Sequence, residues 1–162
     1  MHSTSDAPGL RLQAIWRRLS PLPGGRWIFS RILGWMVPYS GTTRPYIERL
    51  DPGDVRLRFK DRQGVRNHLQ SVHAIALANA AELASGLAMT TALPPGVRGI
   101  VTQITVRYPK KARGTLVASA RCVVPTIRGP EDHDFESTVT DAAGDVVAQA
   151  TVRWRLAPVL PT

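Results

Sequence analysis

Between Asn67 and Gly86 a polar cluster gives way to the one long helical pattern in the middle of the chain. The rest of the sequence has to fold around it. Val72, Ile75, Ala76, Leu83 and Leu87 recur at helical spacing, and alanine fills positions 74, 76, 78, 80, 81, 84 and 88. Alanine favours helix and lets a neighbouring sheet approach closely. Ser71 is the expected N-cap, its hydroxyl placed to accept a first-turn backbone N–H.

Asn79 and Glu82 do not suit such a helix. They are three residues apart and share a face with Ile75 and Gly86. A carboxylate on an alanine-lined side must be paired, hydrated or raised in pKa, because burying an ionised group alone is costly. Glu82 therefore either faces water or marks a functional site. His73 and Glu82 are nine positions apart, and at about 100° per residue they point to opposite sides of the helix. If the Asn67–His73 end acts together with Glu82, two copies of the chain must supply them, which calls for a symmetric dimer.

The 162 residues suit one domain with an appendage and a sizeable core. One cysteine, Cys122, excludes an intrachain disulfide and a cysteine-based zinc site, and suits a reducing, cytoplasmic setting. It reads as core filling rather than as a nucleophile. A net charge of +9 points to anionic partners: nucleic acid, an anionic membrane, or a phosphorylated molecule such as coenzyme A. The basic residues are dispersed and no nucleic-acid-binding motif is present, so nucleic acid is not expected as a partner. No apolar run approaches the ~18 to 20 residues of a spanning helix, and the start lacks a secretory layout.

The chain reads in order as a loose start to about residue 8, a short amphipathic helix over 9–19, and a break at Ser20–Gly25. A second helix follows over 26–37, ended by Pro38. These helices are rich in arginine and tryptophan. They pack on their own domain or a partner, or else rest weakly on a membrane surface. Strands are expected at 44–50 and 55–60 about the Asp51-Pro52-Gly53-Asp54 turn. Beyond the helix come four more alternating segments: Ile100, Thr102, Ile104, Val106 and Tyr108 on one face; Leu116 to Val124; Phe135, Ser137 and Val139; and Val146 to Leu156. Glu131-Asp132-His133-Asp134 reads as a solvated loop, since neighbouring side chains there cannot converge on a metal. Two strands, a long helix and four antiparallel strands imply an α+β domain in which a sheet curls around the helix. The division is a helical extension over 1–40 and the main domain over 41–157.

This order resembles the hotdog fold of acyl-CoA thioesterases and dehydratases. The motif resembles that of the phenylacetate-pathway type: an Asn, then Gly, Ser or Thr, an aliphatic residue, His-Gly-Gly, an acid further along the helix, and a Gly one turn later. Asn67, Ser71, Val72, His73, Glu82 and Gly86 stand at those spacings. The phrases around Gly25-Arg26-Trp27 and Arg66-Asn67-His68 look like an uncharacterised branch of the superfamily. The resemblance implies a homodimer, or dimer of dimers, that hydrolyses an acyl-CoA or related thioester without metal or cofactor. It assigns Glu82 as general base or nucleophile across the dimer. Asn67 would orient the carbonyl or the water. Backbone N–H groups around His73 and Ala74 would hold the developing negative charge, with Ser71 and Asn79 positioning. Lys110, Lys111 and Arg113 would meet the coenzyme A phosphates. His68 reads as a packed histidine.

Two departures stand out. Gln70 occupies the place of a glycine before the Ser/Thr, and Ala74-Ile75 replaces Gly-Gly after the histidine, with Ile75 placed to crowd the site. The competing class is a non-catalytic acyl- or lipid-binding module whose basic N-terminal helices contact an anionic membrane.

Overall fold

A computed structural model describes residues 7–159. Almost all of the loose start and most of the proline-ended tail expected from sequence lie outside them. Three helices come first, α1 (Pro8–Leu19), α2 (Gly25–Met36) and the single turn α3 (Pro38–Gly41). Then follow β1 (Tyr46–Asp51), β2 (Asp54–Lys60), a short 3₁₀ turn (Gln63–Val65) and the long helix α4 (Ala74–Ala92). The chain closes with β3 (Val97–Arg107), β4 (Thr115–Arg121), β5 (Glu131–Thr140) and β6 (Val146–Pro158).

The six strands form one antiparallel sheet in the order β1-β2-β4-β5-β6-β3. Its inner face wraps α4, which packs against β2, β4, β5 and β6 and against α1 behind it. This is the hotdog arrangement. The alternation in β2 works as read: Val55, Leu57 and Phe59 are buried and Arg56, Arg58 and Lys60 face out. Alanines make the wrap close, with Ala80, Ala81, Ala84 and Ala88 fully buried beneath the sheet.

Two expectations are corrected, and the strand order adds a finding. β3 and β4 are not neighbours, because residues 108–114 carry the chain across to the other side of β5 and β6. β3 thus becomes an edge strand. The single face read for Ile100 through Tyr108 is split by a bulge between Val101 and Gln103. Before it Val101 pairs with buried Trp154, while Ile100 turns outward and is 67% exposed; after it Ile104 pairs with buried Val152. Finally, Glu131–Asp134 is the start of β5 rather than a loop. Its acids do alternate, and Asp132 and Asp134 pair with Arg155 and Arg153 on β6 at 2.8 and 2.7 Å.

Closeness of the helix to the sheet is set by side-chain size at the alanine positions. Ala84→Leu is expected to cost about 1–3 kcal/mol by forcing the two apart. Denaturant unfolding would measure this as a lowered midpoint at unchanged slope.

Candidate functional site

The first turn of α4 is built by the loop before it. Asn67 donates its backbone N–H to the Ser71 carbonyl at 2.8 Å, and a bridge pairs Arg66 with Val72. Inside this tight loop the Asn67 Oδ1 accepts the N–H of Leu69 at 2.9 Å and both the N–H and hydroxyl of Ser71 at 3.2 Å. Asn67 is thus held by its side-chain oxygen, and its amide NH₂ has no hydrogen-bond partner among the described residues. Ser71 is buried in this arrangement and is not the helix cap. The cap is His73, whose Nδ1 accepts the N–H of Ile75 at 3.1 Å. An imidazole can accept there only through an unprotonated Nδ1.

Gln70 is the residue that makes the loop close, with φ at +54°. That left-handed conformation is readily available to glycine and costs other residues free energy. The position where the related motif has glycine therefore needs glycine's backbone, and here a glutamine adopts it. Gln70→Gly is expected to raise stability by up to about 1 kcal/mol, the relief of strain being partly offset by the freer unfolded chain. Gln70→Val should lower it. Thermal unfolding of the two variants beside the parent separates these outcomes.

Of the two N–H groups expected to face a substrate carbonyl, that of His73 is already used. It donates to the Val65 carbonyl at 2.8 Å. Ala74 is the first residue of the helix, and no carbonyl among the described residues accepts its N–H. The phenol of Tyr108, at the end of β3, donates to the Ala74 carbonyl at 3.0 Å and ties the helix start to the edge strand. Burial pushes the Tyr108 phenol pKa up. Sequence reading placed Tyr108 on a strand face and missed this role, because the partner is a backbone carbonyl 34 residues away.

From Leu77 to Thr91 every residue of α4 is buried except for a stripe at four-residue spacing, Ala78, Glu82, Gly86 and Thr90, which stays partly open. Glu82 sits in the middle of it. Its carboxylate has no hydrogen-bond or ion-pair partner among the described residues, and desolvation raises its pKa. A side chain at Gly86 would come within 3.0 Å of the Trp154 ring and 3.7 Å of the Glu82 Oε1. Glu82, the bare backbone of Gly86 and the indole ring of Trp154 therefore converge. The Trp154 Nε1 is buried without a partner in the described chain.

Asn79 does not join Glu82. It is buried and donates its amide to the Tyr39 carbonyl of α3 at 3.4 Å. Together with Tyr39, Thr42, Arg66, His73 and Ile75 it lines a cleft of about 200 Å³ at the helix start. Ile75 is exposed at its mouth, where crowding was expected. The Lys110–Arg113 connection passes beside the same loop, with the Ala112 carbonyl accepting the Val72 N–H at 2.8 Å. Its charges are unequal in availability. Lys110 is held between Asp141 and Asp145 at 2.6 and 2.7 Å, and Arg113 donates to the Gln70 carbonyl at 3.1 Å. Lys111 is exposed, with no partner among the described residues. His68 is exposed rather than packed. Burial pushes the Cys122 thiol up to about 11, which suits core filling and not a nucleophile. No group of side chains among the described residues could hold a metal ion, and no described helix is long and apolar enough to cross a membrane.

Fold and helix motif together define a hotdog protein of the thioesterase-like branch. The chain belongs to the family described as Domain of unknown function (DUF4442), whose model matches residues 25–156. No functionally curated protein matches it. A structural-genomics protein designated APC5556 is 29% identical over 91% of this chain and 98% of its own, with a TM-score of 0.79. A Pseudomonas aeruginosa protein described as a probable thioesterase is also 29% identical, over 85% of this chain and 97% of its own, with a TM-score of 0.72. A hypothetical thioesterase from Streptococcus pneumoniae, solved with coenzyme A, shares the fold at 21% identity and a TM-score of 0.61, over 72% of this chain and 91% of its own.

A carboxylate whose pKa is raised by folding binds more protons in the native than in the unfolded state. Its contribution to stability is lost as pH rises from the ordinary glutamate range through the raised value. Glu82→Gln is therefore expected to melt higher than the parent near pH 7 and to lose that advantage near pH 4. Melting curves across that range test it; an advantage that is the same at both ends would contradict the desolvated carboxylate.

Proposed function

We propose that the protein hydrolyses an acyl-CoA or closely related thioester as a homodimer, with Glu82 of one subunit facing the Asn67–Ala74 segment of the other. The observation that carries this reading is Glu82 itself, an unpaired, desolvated carboxylate in the open stripe along the middle of α4. The dimer is supported by β3, an eleven-residue edge strand with outward Ile100, free of proline and able to pair with a second copy. The reading also needs a second copy because the Ala74 N–H and Glu82 of one helix lie eight residues, about 12 Å, apart, too far to meet at one carbonyl.

In the proposed reaction the thioester carbonyl lies against the free Ala74 N–H of one subunit, where the start of α4 favours negative charge. Glu82 of the other subunit takes a proton from water, and the water oxygen attacks the carbonyl carbon. The intermediate collapses with loss of the thiol sulfur, which receives the proton from Glu82. The raised pKa of Glu82 suits a group that must accept and then return a proton. Asn67, fixed through its Oδ1, presents its NH₂ to the carbonyl or the water. Buried Asn79 holds α3 against the entrance, and Lys111 is the basic side chain of its loop best free to meet coenzyme A phosphates.

Thiol release from a panel of acyl-CoA substrates tests the reading. Glu82→Gln and Asn67→Ala are each expected to lower turnover by about 100-fold or more, with Asn67→Ala also costing about 1–2 kcal/mol of stability through the loop bonds it breaks. Mixing the two inactive chains should restore part of the activity, because one site in a mixed dimer is intact. A parent without turnover on any substrate, or full activity in Glu82→Gln, would sink the proposal.

A further inference from the structure

The chain's charge is concentrated where its apolar surface is. Residues 8–41 carry five arginines and no acid, a charge of +5, while the 121 residues from 42 onward carry sixteen basic and eleven acidic side chains, also +5. On the sheet those charges are largely matched: Arg49, Arg56, Arg121, Arg153 and Arg155 each pair with a carboxylate. On the helices the matching is partial, Arg17 donating to the Gln13 Oε1 at 3.1 Å. Arg18 and Arg31 have no ion-pair or hydrogen-bond partner among the described residues, and Arg26 lies over the Trp16 ring at 5.8 Å.

α2 is docked on the domain through Phe29, Ser30 and Leu33, so its other side faces away from the core. There Trp27, Arg31 and Trp35 follow one another at four-residue spacing on one face, beside Ile28 and flanked by Ile32 and Met36. Trp27 is 60% and Trp35 is 83% exposed. A contiguous apolar face of this size on a water-facing helix marks an interaction surface. We infer that α2 is an interfacial helix that lays Trp27 and Trp35 into the headgroup region of an anionic lipid bilayer, with Arg31 between them meeting lipid phosphates.

Charge decides the partner. A second copy docked on the same face would set two acid-free +5 segments against each other, whereas an anionic bilayer neutralises both charge and apolar surface at once. Aliphatic Ile28, Ile32 and Met36 beside the tryptophans suit acyl chains and have no use against nucleic-acid bases. Tryptophan and arginine side chains are suited to the headgroup level, where an apolar body and a polar end are both satisfied. Tyr39, exposed just beyond α2, also lines the cleft at the start of α4, so this docking sets the cleft beside the lipid surface. The inference stands apart from thioester hydrolysis and survives its failure.

The test is sedimentation of the full chain with vesicles of phosphatidylcholine alone and of phosphatidylcholine with phosphatidylglycerol. Uptake is expected only by the anionic vesicles, weakening with salt, with tryptophan fluorescence quenched by brominated acyl chains. The double variant Trp27→Ser/Trp35→Ser, and separately Arg31→Glu, should each lose at least about tenfold in partition. All three residues point away from the core, so unchanged melting curves are expected alongside, and Arg31→Glu keeps the test open if the double variant does not fold. Absence of uptake by anionic vesicles, or equal uptake of parent and variants, overturns the inference. So does self-association in the ultracentrifuge that the tryptophan substitutions abolish without any vesicle binding, or RNA binding where vesicles are refused.

Discussion

A helix of nineteen residues, about 28 Å long, is buried on nearly all sides by one sheet and one flanking helix. That burial is the constraint from which the rest of the architecture follows. It requires alanine wherever the strands pass closest, and it sends β3 around to the far edge so that the sheet can close over the helix. It also makes any charge on the helix expensive. Within that setting a glutamate with no partner in its own chain is a cost that packing alone does not explain. Its place in an open stripe, beside a glycine and an indole ring, gives it space for something to bind.

The other end of the site is organised by backbone rather than by charge. Asn67 spends its side-chain oxygen on three loop hydrogen bonds, Gln70 takes a left-handed turn, Arg113 braces the Gln70 carbonyl, and His73 caps the helix. What remains free after these bonds is the Asn67 amide and the Ala74 N–H. In the proposed dimer this neutral donor set would face the desolvated carboxylate, an arrangement suited to a carbonyl substrate that develops negative charge. It is a poor receptacle for a metal ion, which needs anionic or imidazole ligands converging on one point.

Much of the fold was legible in the sequence because side-chain period reports directly on burial. The alanine run marked α4, and alternation marked β2, β4 and β6. What misled was local chemistry decided at a distance. The bulge in β3 breaks a face that looks continuous, because Ile100 and Ile104 are both apolar and nothing in the local sequence marks the extra residue. Ser71 is an excellent cap by propensity, but Asn67 claims its hydroxyl and shifts the cap to His73. The acidic Glu131–Asp134 run looked like loop until its partners, Arg153 and Arg155, were placed opposite on β6. For the proposed site, Glu82 stood out by residue type and spacing, and Asn67 through the resemblance to the family motif. Tyr108 and Trp154 could not, since their relevance comes from a carbonyl and a glycine on another element.

The central claim is that Glu82 carries its carboxylate in a place largely withdrawn from water and without a cation to steady it. Carbon-13 NMR titration of the glutamate side-chain carboxyls, assigned by comparison with Glu82→Gln, measures that directly. The account predicts a midpoint for Glu82 above the ordinary value of 4.5. A midpoint at or below that value would mean a solvated or paired carboxylate, and would contradict it.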